Sequence, residues 1–202
     1  MTAAGEHCGA RGVCRDVTAA REREAELTRA HATLERLSRT DELTGLLNRR
    51  AFVDELSRRL AHLQRHGRSG ALLYLDLDNF KLINDRFGHQ RGDMVLCGLA
   101  ALLTGGSRIG DTAARLGGDE FVLWLEEVDA ARAEAKAAAL IAGVNELDGR
   151  QGAGDGTLGL SVGVAVSRGA ETAAALFARA DAAMYEAKRL GKGTVRLAPV
   201  GA

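Results

Sequence analysis

The segment Arg115–Trp124 constrains the fold more than any other part of the chain. Its apolar residues lead into Gly117 and Gly118, then into the acids Asp119 and Glu120, and then into apolar residues again. This order predicts a β-strand, a tight turn and a return strand. The glycines leave space beside the acids at the tip of the turn. In isolation such a run is most often an ordinary surface hairpin, so its role depends on the segments that lie beside it.

The composition predicts one globular domain with an appendage. The chain has 202 residues, of which 46% are hydrophobic, and this is enough for a packed core. The 27 Lys and Arg residues balance the 27 Asp and Glu residues. Because there is no overall basic charge, we expect no nucleic-acid partner.

The cellular setting follows from the cysteines and from the absence of long apolar runs. Three cysteines suit a reducing cytoplasm better than a disulfide framework or a zinc site. Cys97 lies in an apolar helical pattern and is expected in the core. No run approaches the roughly 18 apolar residues of a membrane span, and residues 1–13 lack the apolar region of a secretory signal. We therefore expect a cytoplasmic protein without membrane insertion.

The N-terminal part divides from the rest by its pattern. Residues 1–15 are glycine-rich and show no periodicity, whereas residues 16–40 show a charged, alanine-rich pattern that predicts a helix. Their apolar residues recur at heptad spacing, at Ala20, Leu27, Ala30, Leu34 and Leu37. This spacing predicts a short coiled coil between two chains, and a solvated helix that lies on its own domain remains the alternative.

The main domain is expected at residues 41–198 and begins with a capping sequence. Thr40 or Asp41 is expected to cap the following helix. The pattern then predicts a helix, a strand, two helices, the hairpin, a helix, a strand, a helix and a last short strand. Their bounds are Arg50 to about His66, Ala71–Leu77, Asn79–Gly88, Gly92–Leu103, the hairpin, Asp129 to about Leu147, Leu158–Val166, Thr172–Leu190 and Thr194–Leu197. This order predicts an α/β (α+β) fold with a sheet covered by helices.

Acidic residues from separate elements are expected to meet at one edge of that sheet. Asp76 ends a buried strand, while Asp119 and Glu120 occupy the hairpin tip. Carboxylate oxygens of this kind suit Mg²⁺, which is typically held by one or two carboxylates together with substrate phosphates.

A phosphate site is expected beside these acids. A helix begins near Asn79, where free N–H groups and the helix dipole favour an anion. Lys188 and Lys192, four residues apart across a helix end, can reach the same phosphates. Each feature has an ordinary alternative: Asp76 and Asp78 as caps, and the lysines as partners of a helix C-terminus. It is the convergence of these groups that favours nucleotide chemistry.

Four separated motifs carry a resemblance to a known family. They are DELTGLLNRR at Asp41–Arg50, DLDNFKLINDRFGHQRGD at Asp76–Asp93, RLGGDEF at Arg115–Phe121 and ADAAMYEAKRLGKG at Ala180–Gly193. In this order and at these separations, the chain resembles the GGDEF diguanylate cyclases from about Asp41 to Leu197.

The resemblance implies a fold and an activity. The fold would be the palm-like, ferredoxin-type sheet of nucleotidyl cyclases. Members condense two GTP molecules into cyclic di-GMP and release two pyrophosphates, with Mg²⁺ or Mn²⁺ as cofactor. Each domain binds one GTP, so the resemblance implies a homodimer aligned by the N-terminal helix. Residues 12–18 resemble the last strand and exit of a PAS sensory domain; on this interpretation either the sensor was lost or the chain is a fragment.

The resemblance also assigns roles to individual residues. Asp76, Glu120 and the Leu77 carbonyl would hold the metal, and Asp119 would act at the 3′-hydroxyl as metal ligand or general base. The implied substrate contacts are Asn84 and Asp93 at the guanine edge, Gly117 and Gly118 against GTP, and the Phe80 backbone N–H, Lys81, Lys188 and Lys192 at the phosphates. Lys192 often appears as arginine in relatives, which keeps the charge but changes the geometry.

A second ligand site is implied by Arg108 and Asp111. Relatives carry an RxxD element five residues before the GGDEF turn, where it binds the product for feedback inhibition; the alternative is a surface salt bridge. Two other functions stay open. One is a non-catalytic receptor that binds cyclic di-GMP through Arg108 and Asp111. The other is a cyclase with a different product, such as a mixed dinucleotide or cGMP.

Overall fold

The computed structural model describes residues 39–108, 110–147 and 157–199. The predicted coiled coil and the segment that resembles a PAS exit lie outside them. The elements within the described part are β1 Leu47–Asn48, α1 Arg49–His66, β2 Gly70–Asp78, α2 Phe80–Phe87, α3 His89–Gly105, β3 Thr112–Gly117, β4 Glu120–Glu126, α4 Ala130–Leu147, β5 Gly159–Ser167, α5 Ala173–Arg189 and β6 Val195–Leu197.

The strands form one mixed sheet in the order β1-β3-β4-β2-β5-β6. The central strand β2 is antiparallel to both β4 and β5. It is buried along its whole length because helices cover both faces of the sheet. Leu73 and its odd-numbered neighbours pack towards α3 and α4, whereas Leu72 and its even-numbered neighbours pack towards α1 and α5. The predicted α/β architecture is therefore confirmed.

One glycine controls how closely α5 lies on the sheet. Gly163 in β5 faces this helix, and a Cβ there would overlap the Ala180 carbonyl oxygen and the Met184 backbone nitrogen. A residue without a side chain therefore allows the helix backbone to touch the strand. This close packing fixes the C-terminal turn of α5, which carries Lys188.

The start of α1 corrects the predicted cap. Neither Thr40 nor Asp41 caps this helix; the Asn48 side chain accepts a hydrogen bond from Ala51 N at 2.9 Å. Asp41 instead accepts from the Thr44 backbone N at 2.9 Å and closes its own turn. The cap lies further along because a short strand, absent from the predicted elements, intervenes at Leu47–Asn48.

Two details of α3 also differ from the prediction. The helix begins at His89 rather than at Gly92. Cys97 was expected in the core, but it is exposed, and its Sγ lies 3.4 Å from the Leu43 carbonyl oxygen. The reason is helical periodicity: the buried stripe runs through Leu96, Leu99 and Leu103, and position 97 turns away from it. No helix among the described residues is both long and apolar enough to cross a membrane.

Candidate active site

The predicted hairpin is present and needs its glycines. Strands β3 and β4 are antiparallel, and the chain reverses between Gly117 and Glu120. Gly117 has φ 140° and Gly118 has φ 52°, conformations that other residues adopt only with strain. Asp119 follows in the turn, and Glu120 is the first residue of β4.

The register of the sheet brings the acids of separate segments together. Asp76 lies directly opposite Glu120 in the β2–β4 pair. Leu77 N donates a hydrogen bond to the Asp119 carbonyl oxygen at 3.3 Å. The strand and the hairpin tip therefore meet at one end of the sheet, as the sequence predicted.

Asp76 is the most perturbed carboxyl group of this site. It is buried, and the Lys188 Nζ lies 2.7 Å from its Oδ1. Burial raises the pKa of Asp76 to about 6; Lys188 opposes the shift, and the nearby Asp119 and Asp78 carboxylates add to it. The ionised form of Asp76 is disfavoured because the side chain is buried and two other carboxylates lie nearby, while Lys188 is its one cationic partner among the described residues.

These residues fit a divalent cation chemically, although they do not form a closed ligand cage. In the part of the chain that the structure describes, no three acidic, histidine or cysteine side chains converge closely enough to hold an ion. The expected meeting of three carboxylates is thus incomplete, and Asp76 pairs with Lys188 instead. The donor set of two carboxylates and a carbonyl still suits Mg²⁺ or Mn²⁺, which take their remaining ligands from water and substrate phosphates.

Tyr74 is a residue of the site that sequence reasoning missed. It lies two positions before Asp76, so both side chains project from the same face of β2. Burial, followed by the Glu120 and Asp181 carboxylates, raises the pKa of Tyr74 to about 12. The phenol therefore stays neutral and can donate a hydrogen bond to Glu120. The two-residue alternation of side chains along a strand could have placed Tyr74 beside Asp76, but a tyrosine in an apolar strand normally indicates core packing.

The loop after α5 is fastened to β2 by Asp78. Its carboxylate accepts hydrogen bonds from Ser161 Oγ and from Gly193 N, each at 2.9 Å. Asp78 is buried, so these donors replace the water that its charge would otherwise need. The role of Asp78 is therefore to hold the segment that carries Lys192.

Lys192 lies at the beginning of α2. Its Nζ donates to Asn79 Oδ1 at 2.9 Å, and Asn79 Nδ2 donates to the Thr157 carbonyl oxygen at 2.8 Å. The Asn79 side chain is thus turned away from the helix and does not cap it. Lys81 is exposed in the first turn of the same helix. The two lysines and the N-terminus of α2 form the cationic end of the site, whereas Lys188 lies at the acids.

Asn84 and Asp93 lie on two adjacent helices beside this end. Asn84 Oδ1 is buried and has no hydrogen-bond partner among the described residues. It lies against Gly92, where a Cβ would overlap it and would also approach the Phe80 ring at 3.2 Å. Asp93 is the next residue and is exposed. Asn84 as a whole is half-buried, and its unpaired acceptor oxygen marks a place where a polar ligand would be favourable.

Arg115 connects the hairpin tip to the first turn of the domain. Its Nε and Nη2 donate to the Gly118 carbonyl oxygen at 3.0 and 2.8 Å, and its Nη1 lies 3.2 Å from Asp41 Oδ1. The pKa of Asp41 is lowered: burial opposes this, but hydrogen bonds from Thr44 and the Arg115 charge outweigh it. No signal in the sequence paired Asp41 with Arg115, because 74 positions separate them.

The predicted second ligand site is a compact turn at the start of β3. Asp111 Oδ2 accepts from Arg108 N at 2.9 Å, and Asp111 Oδ1 accepts from Glu126 N at 3.3 Å. The carboxylate therefore binds backbone N–H groups, and none of the ion pairs found among the described residues joins Arg108 to Asp111. Arg108 is exposed. These contacts argue against the simple surface salt bridge.

The sheet order, the helices on both faces and the acids at the hairpin define an α/β cyclase fold. The chain matches the family described as "Diguanylate cyclase, GGDEF domain" over residues 38–194. It is 40% identical over 180 residues to the diguanylate cyclase TpbB of Pseudomonas aeruginosa, covering 87% of this chain and 41% of that protein. This chain therefore belongs to the GGDEF diguanylate cyclase family, and it spans about two fifths of the length of that curated relative.

Solved structures agree with this assignment. The GGDEF domain of DgcB from Caulobacter crescentus, in complex with c-di-GMP, matches with a TM-score of 0.72 at 33% identity, covering 79% of this chain and 95% of that one. The coiled coil and GGDEF domain of the same protein, also in complex with c-di-GMP, match with a TM-score of 0.71 at 32% identity, covering 91% of this chain and all (100%) of that one.

Proposed function

We propose that this domain is a diguanylate cyclase that condenses two GTP molecules into cyclic di-GMP and releases two pyrophosphates. The observation that carries the proposal is the pairing of Asp76 with Glu120 across β2 and β4. The Lys188 Nζ already lies at this acid pair. Asn84 with Asp93, and the lysines at the start of α2, would supply separate contacts for a base and for phosphates.

In the proposed chemistry, the 3′-oxygen of one GTP attacks the α-phosphorus of the other. The bond to pyrophosphate breaks as the new phosphodiester bond forms. Asp76, Glu120 and the Leu77 carbonyl would hold Mg²⁺ or Mn²⁺, which supplies charge neutralisation at the phosphates. Asp119 would lie at the 3′-hydroxyl and accept its proton or orient it. Positioning and electrostatic stabilisation would supply most of the rate enhancement.

The chain's own cations would bind the leaving group. Lys192 and Lys81, together with the Phe80 N–H at the start of α2, would contact the β- and γ-phosphates. Lys188 has Asp76 as its partner without ligand, and it would be free to contact the same phosphates where Asp76 held a metal. This exchange would keep the buried carboxylate paired with a positive charge at each stage.

Selectivity for guanine is proposed for Asn84 and Asp93. A carboxylate can accept from the N1–H and N2–H₂ donors of guanine, and an amide can donate to its O6. The exposed glycines Gly117 and Gly118 would let the nucleotide lie against the hairpin without meeting side chains.

The proposed active form is a homodimer in the cytoplasm. A single domain would bind one GTP, and the reaction needs two that face each other. The heptad pattern of residues 16–40, ahead of a catalytic domain at 41–198, supports alignment by a coiled coil. Polar substitution of both Leu27 and Leu34 is expected to abolish turnover. Full activity of a protein shown to be monomeric at the assay concentration would refute the dimer mechanism.

Product identification tests the proposed activity directly. The dimeric chain, freed of bound nucleotide, would be incubated with GTP and Mg²⁺ or Mn²⁺, and the products would be separated by chromatography. Cyclic di-GMP is expected, and a mixture of ATP and GTP should yield the same product. Glu120→Gln is the control and should lose at least ~100-fold of the rate while it stays folded. Binding of cyclic di-GMP without any turnover by the wild type would favour the receptor alternative.

Feedback inhibition is proposed through Arg108 and Asp111. Arg108 can bind a phosphate or the Hoogsteen edge of guanine with two donors, and its exposure leaves the guanidinium accessible. Arg108→Ala is expected to keep the initial rate and to lose inhibition by added cyclic di-GMP. Unchanged inhibition in this variant would place the regulatory site elsewhere.

A further inference from the structure

The turn that carries Arg108 and Asp111 is held by an arginine from a different helix. Arg59 in α1 donates from Nη1 to the Gly110 carbonyl oxygen at 2.6 Å and to Glu126 Oε2 at 2.9 Å. Only 20% of the Arg59 side chain is exposed. A charge-assisted hydrogen bond with so little solvent around it is stronger than one at an open surface.

Glu126 completes this arrangement from the end of β4. Its carboxylate binds Arg59, while its backbone N donates to Asp111 Oδ1 at 3.3 Å. A Cβ at Gly110 would lie 2.6 Å from Glu126 Oε2, so an alanine there would displace this carboxylate from its place beside the turn. Arg59 and Glu126 therefore form one clamp, and it holds the Gly110 carbonyl, which precedes Asp111.

We propose that Arg59, acting with Glu126, is a positioning residue for the cyclic di-GMP site at Arg108 and Asp111. The inference rests on the product inhibition proposed above. By holding the Gly110 carbonyl, the clamp orders the turn before the ligand arrives. A turn without the clamp must be ordered during binding, which weakens affinity. Since one charge-assisted hydrogen bond to the turn is lost, about tenfold weaker binding of cyclic di-GMP is expected without Arg59.

Two variants break the clamp from opposite sides. Arg59→Gln removes the charged donor, while Gly110→Ala displaces the Glu126 carboxylate and leaves Arg59 intact. Arg58→Gln is the matched control, because Arg58 is 65% exposed and pairs with Glu55 within α1. Arg59→Lys keeps a cation for the Gly110 carbonyl and should recover part of the affinity.

The experiment measures cyclic di-GMP affinity by titration calorimetry, together with half-inhibition of the initial rate. Arg59→Gln and Gly110→Ala are expected to weaken both by about tenfold. The kcat/KM for GTP without added product should stay at the wild-type value, and Arg58→Gln should match the wild type in all respects. A purely structural role of Arg59 would instead lower the melting temperature and kcat/KM together.

The possible failures are separable. If Arg108→Ala binds cyclic di-GMP as the wild type does, the proposed product site is wrong. If Arg108→Ala loses binding but folded Arg59→Gln keeps wild-type affinity, the clamp proposal is overturned. Should Arg59→Gln not fold, Gly110→Ala decides, because its backbone has no positive φ that would strain an alanine.

Discussion

The substitution Asp76→Asn is expected to stabilise the metal-free protein while it abolishes metal-dependent activity. In the folded chain the pKa of Asp76 is about 6, whereas its ordinary value is 3.8. The folded state therefore binds more protons than the unfolded state between these two values. Stability is fully present below pH 3.8 and is lost as the pH rises towards 6, where the buried carboxylate becomes charged.

The size of this effect follows from the shift in pKa. Each unit corresponds to about 1.4 kcal/mol, so the rise from 3.8 to about 6 amounts to about 3 kcal/mol above pH 6. Asparagine resembles the protonated acid in shape and carries no charge. For a domain of this size, a gain of 1–3 kcal/mol raises the melting temperature by about 3 to 10 °C.

The assay is thermal unfolding of both proteins in EDTA at several pH values. The variant should have its full advantage at pH 8, about half of it at pH 5, and almost none below pH 3.8. Mg²⁺ should stabilise the wild type and not the variant, because binding to the folded state alone adds stability.

Asp78→Asn is the matched control for this prediction. Asp78 lies two residues away on the same strand and accepts hydrogen bonds from Ser161 and Gly193. Its amide replacement keeps only one acceptor oxygen and has no charge to strengthen these hydrogen bonds, so this variant should be less stable than the wild type. The reasoning is refuted if Asp76→Asn is no more stable than the wild type at pH 8 in EDTA.

Three further perturbations test the packing, the first turn and the acid pair. Gly163→Ala should destabilise the domain by more than about 3 kcal/mol, because a Cβ would overlap the backbone of α5. The control Gly105→Ala should leave the stability unchanged, because no atom lies within 4 Å of the added Cβ. Equal melting temperatures of these two variants would contradict the prediction. Asp41→Asn should lower the free energy of unfolding by about 1 kcal/mol at pH 7. Because the pKa of Asp41 is lowered in the folded state, that stability is present above pH 3.8 and is lost as the pH falls through the lowered value; a pH-independent difference in urea unfolding would exclude this explanation. Tyr74→Phe should reduce kcat by about 3- to 10-fold with an unchanged melting temperature if its hydroxyl orients Glu120, and an unchanged kcat would remove that role.

Local pattern determined most of the elements of this fold. The hairpin, the buried strand β2 and the long helices carry their periodicity and their glycine ends within the segments themselves, so their order and nearly all their bounds were predicted correctly. The same holds for the convergence of Asp76 with the hairpin tip, because a strand end and a turn tip follow from chain order in a small sheet.

Tertiary structure alone decided which residues act on which. Arg115 meets Asp41 because β3 pairs with β1, and Tyr74 lies by Glu120 because of the register of β2 and β4. Arg59 meets Gly110 from helix α1. Cys97 was misplaced for a related reason, since the apolar stripe of α3 passes one position away from it. A side chain whose role the apolar pattern leaves ambiguous takes that role from neighbours that are distant in sequence. Asp76 is the example: burial by the surrounding elements raises its pKa, and α5 brings Lys188 to its carboxylate.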